Sequence, residues 1–192
     1  MKTLIIYAHS NTQSLNHAIL ENVIKGLNEA KREYELIDLY ADKFDPVLVI
    51  DEQHRRRDLH NDPYTEQYRN KIEQAEQLIF IYPIWWYGVP AILKGFFDRV
   101  FASGFAYQYD GKLPRGLLKN KSAWVIYTID SPSFYIHLFR RNAEWIVVRD
   151  AILKFCGIKN IKRTRLASVK HSSFEKRQQW LEKIYRQAKS IH

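Results

Sequence analysis

Residues 9–16 (His-Ser-Asn-Thr-Gln-Ser-Leu-Asn) carry seven hydrogen-bonding side chains in eight positions. They follow the short apolar run 3–7 and precede a segment with helical spacing of apolar residues. Unpaired backbone N–H groups and the helix dipole make a helix N-terminus favourable for anions. The segment lacks the glycines of dinucleotide and triphosphate loops, so we expect side chains to help bind one phosphate or a diphosphate. The alternative is a simple Ser or Asn helix cap.

Residues 83–90 (Pro-Ile-Trp-Trp-Tyr-Gly-Val-Pro) form the second unusual segment, directly after the apolar run 78–82. Neighbouring side chains point in different directions, so Trp85, Trp86 and Tyr87 cannot all enter one core. At least one ring should face a crevice, where a flat wall suits a planar heterocycle. Pro83 and Gly88 are expected to leave backbone N–H groups of this loop free for a ligand. A hydrophobic dimer contact is the alternative, and both can hold together.

Residues 128–135 (Thr-Ile-Asp-Ser-Pro-Ser-Phe-Tyr) follow a third apolar run and are expected to complete the crevice as a loop. His137 lies two positions beyond Tyr135 and is a candidate proton donor. A structural or merely exposed histidine is the alternative. No metal site is expected, because the one cysteine has no ligand partner at zinc spacing. There is no Gly-x-Ser-x-Gly elbow and no pair of carboxylates in these loops.

Alternating strand and helix patterns must position these segments. The expected strands cover 3–7, 34–39, 78–82, 122–128 and 160–168, and the expected helices cover 15–31, 64–76, 90–102, 141–156 and 173–190. Residues 40–63 are expected to be irregular and 103–120 to form a loop, while Ser172 and Glu175 match a capping box for the last helix. This pattern predicts an α/β fold with a doubly wound, five-stranded parallel sheet between two helical layers. Ligands bind such sheets beyond the carboxyl ends of the strands, and order 2-1-3-4-5 places the loops after the first and third strands there.

Composition bounds the class of protein. The 192 residues are 46% hydrophobic and 27% charged, as in ordinary globular chains, and no composition break divides them, so we expect one domain over 1–192. The single cysteine, Cys156, is expected to be buried, and no run approaches a membrane span, so we expect a cytoplasmic protein. The net charge of +9 lies entirely after residue 136. That basic third fits an anionic partner, although solvated helix faces and a lysine-protected edge strand are the favoured interpretation.

Residues 82–101 (Tyr-Pro-Ile-Trp-Trp-Tyr-Gly-Val-Pro-Ala-Ile-Leu-Lys-Gly-Phe-Phe-Asp-Arg-Val-Phe) closely resemble the signature of the flavodoxin-like NAD(P)H:quinone oxidoreductases. This family includes mammalian quinone reductase, bacterial modulators of drug activity and ancillary flavoproteins of potassium-efflux systems. Residues 9–16 match the family's His-x4-Ser-aromatic-Asn pattern, with Leu15 in place of Phe, and 44–46 and 111–113 also fit. Residues 128–131 resemble a subgroup that has Thr-x-Asp-Thr/Ser-Pro where many relatives have Thr-Thr-Gly-Gly.

The resemblance implies a flavodoxin-like fold and a flavin bound by three groups of residues. His9, Thr12, Ser14, Leu15 and Asn16 would contact the phosphate or ribityl chain. The isoalloxazine would be lined by Pro83, Ile84, Trp85, Trp86 and Tyr87. The loop after the fourth strand would contribute Thr128, Ile129, Asp130 and Ser131. Tyr135 lies near the family tyrosine thought to assist hydride transfer.

The implied activity is two-electron transfer from NAD(P)H to quinone-type acceptors by ping-pong hydride transfer. FMN is preferred to FAD on chain length, since little of the chain remains for an adenine site. The family is typically homodimeric, and the aromatic residues of 96–109 fit such a contact. The alternatives are a regulatory flavoprotein subunit of a membrane potassium-efflux transporter and a flavodoxin-type electron carrier. The positive charge disfavours the carrier, and the absence of a recognition motif disfavours nucleic-acid binding.

Overall fold

The computed structural model describes residues 2–52 and 55–191. Its strands are β1 (Thr3–Tyr7), β2 (Tyr34–Asp38), β3 (Gln77–Pro83), β4 (Tyr107–Asp110), β5 (Leu113–Gly116), β6 (Ser122–Ile129) and β7 (Asn160–Ala167). Its α-helices are α1 (Leu15–Glu29), α2 (Pro63–Gln74), α3 (Ala91–Val100), α4 (Ser133–Arg140), α5 (Ala143–Ile146) and α6 (Phe174–Lys189). A π-helical stretch, Val147–Lys154, continues α5, and short 3₁₀ helices cover Arg56–Asn61 and Val169–His171.

The main sheet is parallel, with the order β2-β1-β3-β6-β7. This is the predicted order 2-1-3-4-5 once the strands outside the sheet are left out of the count. Pro83 at the end of β3 lies opposite Thr128 near the end of β6. The carboxyl ends of β1, β3 and β6 therefore meet at one edge, as the prediction of a ligand crevice requires.

Side chains alternate between two apolar layers because successive residues of a strand point to opposite faces. Ile5 and Tyr7 of β1 pack in the layer that contains α1 and α6, whereas Leu4 and Ile6 pack in the layer that contains α2 and α3. In the second layer a Cβ on Gly95 would lie 2.2 Å from the Pro46 carbonyl oxygen, so only glycine allows that approach. The two motifs that contain Pro46 and Gly95 are thus in direct contact.

The expected loop over 103–120 is wrong in its middle, where β4 and β5 form an antiparallel hairpin apart from the main sheet. Gly111 occupies the turn with a φ of 62°, which an L-residue rarely adopts. The two-residue loop Gly111-Lys112 is a hairpin signal with glycine at its first position, and the number of Gly and Pro residues in the segment obscured it.

The expected helix over 141–156 and the loop before it also need correction. Tyr135, expected in a loop, lies on α4 together with His137. This helix ends because Arg141 and Asn142 both adopt the left-handed conformation, with φ values of 50° and 55°. Two successive left-handed residues break a right-handed helix. The segment 40–63, expected to be irregular, contains the 3₁₀ helix Arg56–Asn61.

The cap of α6 is Ser173, one residue later than predicted, and its Oγ accepts a hydrogen bond of 3.2 Å from Lys176 N. Ser172 Oγ instead donates to Val169 O, which stabilises the preceding 3₁₀ turn. Cys156 is buried, as predicted. The basic strand β7 lies at one edge of the sheet, which confirms the edge-strand interpretation of part of the positive charge. No helix among residues 2–52 and 55–191 has the length and apolar character to cross a bilayer.

Candidate active site

The segment after β1 is ordered by its own side chains. His9 Nδ1 accepts from Asn11 N at 3.0 Å, and Asn11 Oδ1 accepts from Gln13 N at 2.8 Å. Ser14 caps α1, because its Oγ accepts from His17 N at 3.1 Å. Ser14 is therefore a helix cap, as the alternative interpretation of this segment expected. Thr12 is exposed. Burial lowers the pKa of His9.

Asn16 ties this segment to the far side of the crevice. Its Nδ2 donates to Thr128 Oγ1 at 2.9 Å, and both residues are buried. Asn16 Oδ1 and Tyr7 Oη are buried without a hydrogen-bond partner. Buried polar atoms are rarely left unpaired, so two such atoms at the head of α1 indicate a place where a ligand supplies the missing bonds. Leu15, beside them, is partly buried against the layer of α1.

The aromatic segment forms a tight two-residue turn. Trp85 N donates to Gly88 O at 3.0 Å and Gly88 N donates to Trp85 O at 2.9 Å. Trp86 and Tyr87 occupy the centre with φ values of 51° and 59°. Trp86 is fully exposed, Trp85 is 46% exposed, and Tyr87 packs against the core. The prediction that these rings cannot all enter the core is confirmed. Large residues at positive φ are strained, and such strain often accompanies functional sites.

The expectation of free backbone donors in this segment is wrong for three residues. The N–H groups of Trp85 and Gly88 close the turn, and Ile84 N donates to Thr128 O at 2.8 Å. Pro83 and Ile84 are buried. Within the part of the chain that the structure describes, the N–H groups of Trp86 and Tyr87 have no backbone partner.

Contacts join the three predicted segments in pairs. The rings of His9 and Trp85 lie 6.3 Å apart, and Tyr87 Oη lies 2.9 Å from Ser131 Oγ. With the bond between Asn16 and Thr128, each segment therefore contacts both others. Ile129 is buried, whereas Asp130 is exposed and its Oδ1 accepts from Lys170 N at 3.0 Å. Asp130 thus holds the segment after β7 in place through this hydrogen bond.

The two candidate catalytic residues lie on different sides of α4, since residues two apart on a helix do not face each other. Tyr135 Oη accepts from Arg140 Nη2 at 2.8 Å, and the Arg140 guanidinium also lies over the ring of Tyr87. Tyr135 is thereby linked to the aromatic turn. His137 Nδ1 instead lies 3.1 Å from Asn142 Nδ2, and no contact brings it to the crevice segments within the described residues.

A buried polar network beneath the crevice was not predicted from the sequence. Tyr127 Oη donates to Glu144 Oε1 at 3.0 Å, and Arg165 Nη1 donates to the same oxygen at 3.3 Å and to Asn142 Oδ1 at 2.9 Å. Burial and the nearby carboxylate of Glu144 raise the pKa of Tyr127. Because Arg165 only donates, Asn142 must present its NH₂ group to His137, whose Nδ1 is then the acceptor. A glutamate in a mostly apolar segment gave no sequence signal for this network. Arg140 was missed because no helix was expected before residue 141.

No group of three or more His, Cys, Asp or Glu side chains suited to a metal ion occurs among residues 2–52 and 55–191. The arrangement instead provides a helix N-terminus with unpaired polar atoms on one side and an aromatic wall on the other. That combination suits a ligand with an anionic chain and a flat ring system.

The chain is similar to known proteins in both sequence and fold. A family model described as the flavodoxin-like fold matches residues 1–190. The NAD(P)H dehydrogenase [quinone] 1 of Cavia porcellus is 34% identical over 195 residues, which cover 89% of this chain and 70% of the relative. The crystal structure of Smu.1420 from Streptococcus mutans UA159 is 43% identical with a TM-score of 0.95, over 100% of both chains.

A third similar protein is the NAD(P)H:quinone oxidoreductase from Methanothermobacter marburgensis. It is 28% identical with a TM-score of 0.86, over 100% of this chain and 99% of that one. The family model spans nearly the whole chain, and a relative more than 30% identical is matched over most of its length. The chain belongs to the flavodoxin-like family of NAD(P)H:quinone oxidoreductases.

Proposed function

We propose that this chain binds a flavin at the carboxyl edge of the sheet and transfers hydride from NAD(P)H to quinone-type acceptors. One observation carries the proposal: the segments after β1, β3 and β6 contact one another in pairs around an aromatic wall. The names of the relatives described above support the same reaction.

The residues at the head of α1 fit the anionic chain of a flavin. Asn16 Oδ1 and Tyr7 Oη are buried and unpaired, so ribityl hydroxyls could donate to the first and accept from the second. The first turn of α1 has no acidic residue, so nothing there opposes a phosphate. We propose that His9, Thr12, Ser14, Leu15 and Asn16 form this half of the site. FMN is the proposed form, because a single helix N-terminus accounts for one phosphate group, and FAD is the alternative.

The aromatic turn fits the ring system. We propose that Pro83, Ile84, Trp85, Trp86 and Tyr87 line one side and that Thr128, Ile129, Asp130 and Ser131 line the other. The unpaired N–H groups of Trp86 and Tyr87 are available to a ring oxygen or nitrogen. When bound there, a flavin supplies the redox chemistry, taking hydride from NAD(P)H and passing it to the acceptor.

The protein's own contribution is to position the reactants and to place polar groups beside them. We propose that the hydroxyl of Tyr135 assists hydride transfer, since Arg140 links Tyr135 to Tyr87 in the aromatic wall. His137 stays a candidate only, because its observed partner is Asn142. Trp86 is exposed, so the side of the proposed flavin ring next to it is open to solvent. We propose that NAD(P)H and the acceptor bind to that side in turn.

Steady-state kinetics of the flavin-reconstituted protein test this proposal. Double-reciprocal plots at several quinone concentrations should give parallel lines, with NADH or NADPH as the reductant. Intersecting lines would contradict the shared face, and a protein that neither binds flavin nor oxidises NAD(P)H would contradict the flavoenzyme. Chromatography of the extracted cofactor separates FMN from FAD.

We further propose that the protein is a homodimer. A groove of about 530 Å³ lies between α3 and the π-helical stretch, and exposed apolar side chains stand at its edges, among them Ile50 and Val147. Of the aromatic residues expected to form this contact, Phe97 and Phe101 line the groove while mostly buried in the core, and Phe96 is fully buried. The exposed Tyr109 and Leu113 of the hairpin extend the apolar surface.

We also place the protein in the cytoplasm, with the single, buried and unpaired cysteine as support. The regulatory transporter subunit gains no support from the relatives described above. The basic residues of β7 pack instead on aromatic rings, with Lys162 over Trp124 and Arg163 over Trp145.

A further inference from the structure

Arg140 occupies an unusual position at the rim of the crevice. Its guanidinium carbon lies 5.4 Å from the centre of the Tyr87 ring and 5.3 Å from that of the Tyr135 ring. Its Nη2 also donates to Tyr135 Oη at 2.8 Å. A cation is attracted to the faces of aromatic rings, so these contacts hold the guanidinium beside the aromatic turn.

The cluster of Arg140, Tyr135, Tyr87 and Ser131 has more hydrogen-bond donors than its own acceptors use. Tyr135 Oη accepts from Arg140, so its own hydrogen is free to donate elsewhere. Tyr87 and Ser131 share one hydrogen bond at 2.9 Å, which uses one of their two hydroxyl hydrogens and leaves the other. Three of the five guanidinium N–H groups remain after the bonds to Tyr135 and Tyr87. A cation and several hydroxyl donors therefore converge on one place.

No carboxylate neutralises this cluster among the described residues. None of the ion pairs of the described chain includes Arg140. The pKa of Arg140 is raised by the nearby hydroxyl of Tyr135 and by the hydrogen bond with Tyr87. Asp130, the acidic residue of the 128–135 segment, accepts a hydrogen bond from the backbone of Lys170. The cluster thus has the charge and donors of an anion site without an anion from the protein.

We propose that Arg140, Tyr87, Tyr135 and Ser131 form a subsite for an oxyanion, a carboxylate or sulfonate carried by the aromatic acceptor. The inference rests on the function proposed above, because Tyr87 belongs both to the wall of the crevice and to this cluster. A molecule stacked on the wall would place a ring substituent within reach of Arg140. The planar guanidinium matches the geometry of a carboxylate or sulfonate. The protein would therefore prefer acidic quinones to neutral ones.

Binding of redox-inert ligands tests the subsite apart from catalysis. Naphthalene-2-sulfonate and naphthalene-2-sulfonamide have nearly the same shape, and only the first is charged. Calorimetric titration of the flavin-reconstituted protein should show about tenfold tighter binding of the sulfonate, as one charge-assisted hydrogen bond provides. Arg140→Gln should abolish this preference. The matched control is Arg141→Gln, which removes the same charge from the next, exposed residue and should retain it.

Acceptor kinetics then locate the anion. The ratio of kcat/KM for 1,4-naphthoquinone-2-sulfonate to that for 1,4-naphthoquinone should fall about tenfold in Arg140→Gln and stay constant in Arg141→Gln. Tyr135→Phe removes one donor and should reduce the ratio by a smaller factor. An unchanged ratio in Arg140→Gln overturns the proposal, as does a loss that is equal for both quinones.

The hydride donor is the other source of an oxyanion, through the additional phosphate of NADPH. If Arg140→Gln raises KM for NADPH and not for NADH, while the quinone ratio stays constant, the acceptor subsite is wrong. If the wild-type protein reduces no quinone but still prefers the sulfonate through Arg140, the proposed function fails and the oxyanion subsite stands.

Discussion

Asn16 Nδ2 donates to Thr128 Oγ1 across 2.9 Å, in the interior, between residues 112 positions apart in the sequence. This bond joins the first turn of α1 to the end of β6. It orients the Asn16 amide so that the other end of the group, Oδ1, is buried and unpaired. The protein thus holds a ready acceptor at the place where a ribityl hydroxyl is proposed to bind.

Thr128→Val should weaken flavin binding about tenfold, because it leaves Asn16 Nδ2 unpaired and frees the amide to rotate. Quenching of flavin fluorescence on titration with apoprotein gives the dissociation constant. Thr164→Val is the matched control, since Thr164 Oγ1 accepts from Trp124 Nε1 on the next strand, away from the crevice. Equal affinities for Thr128→Val and the wild type would show that this bond does not organise the site.

The sequence was sufficient for the main sheet because its strands are continuous apolar runs, a pattern that buried parallel strands share. It was also sufficient to choose the three crevice segments, which stand directly after those runs. It failed where single residues decide the backbone. The left-handed conformation of Arg141 and Asn142 separates α4 from the helix that follows. Asparagine is enriched in that conformation, but arginine is not, so the sequence did not predict the break.

Partners far apart in the sequence were equally beyond prediction. Glu144 becomes a buried acceptor only because Arg165 arrives from β7, and Arg140 meets Tyr87 only once α4 has formed. Local pattern contains neither pairing. The helix cap shows the same limit on a smaller scale, since Ser172 and Ser173 are both good caps and packing of the preceding 3₁₀ turn decides between them.

The turn at Trp86 should show a conflict between stability and function. Trp86→Asn suits a positive φ and gives up no burial, so the free energy of unfolding should be unchanged or rise by up to about 1 kcal/mol. Trp86→Val loses the same ring but is β-branched, so it should destabilise the protein by about 1–2 kcal/mol. Urea denaturation measures both. Both variants should lose quinone reductase activity, and a difference in activity between them without a difference in stability would contradict the role of the ring.

Glu144 should be far more important for stability than an exposed glutamate. Its side chain is fully buried, and Glu144→Ala would leave Arg165 and Tyr127 without their acceptor, which should lower the free energy of unfolding by about 3 kcal/mol. Glu182→Ala removes an exposed ion pair with Arg186 and should change it by less than about 0.5 kcal/mol. Chemical denaturation of the two variants gives the comparison. Similar values for both would show that the buried network is dispensable.

The proposed dimer should depend on the groove beside the π-helical stretch. Val147 is 51% exposed there, and Val147→Lys places a charge in the proposed contact, so sedimentation should show monomers at concentrations where the wild type is dimeric. Phe174→Lys changes an exposed residue of α6, remote from the groove, and should remain dimeric. A wild-type protein that sediments as a monomer, or a Val147→Lys variant that stays dimeric, would contradict the contact.

Cys156 should be unreactive until the protein unfolds. Burial raises the pKa of its thiol to about 12, so at pH 8 the folded chain presents almost no thiolate to a disulfide reagent such as DTNB. We expect no labelled thiol in the native protein and one per chain in denaturant.

The raised pKa of the Cys156 thiol also makes the stability of the protein depend on pH. The unfolded thiol ionises from about pH 9 and the folded thiol does not, so its contribution is intact below pH 9 and declines as the pH rises toward 12. The stability difference between wild type and Cys156→Ala should therefore shrink by up to about 1 kcal/mol between pH 9 and pH 10. Rapid native labelling at pH 8 would show that the thiol is accessible and its environment is not the apolar one described here.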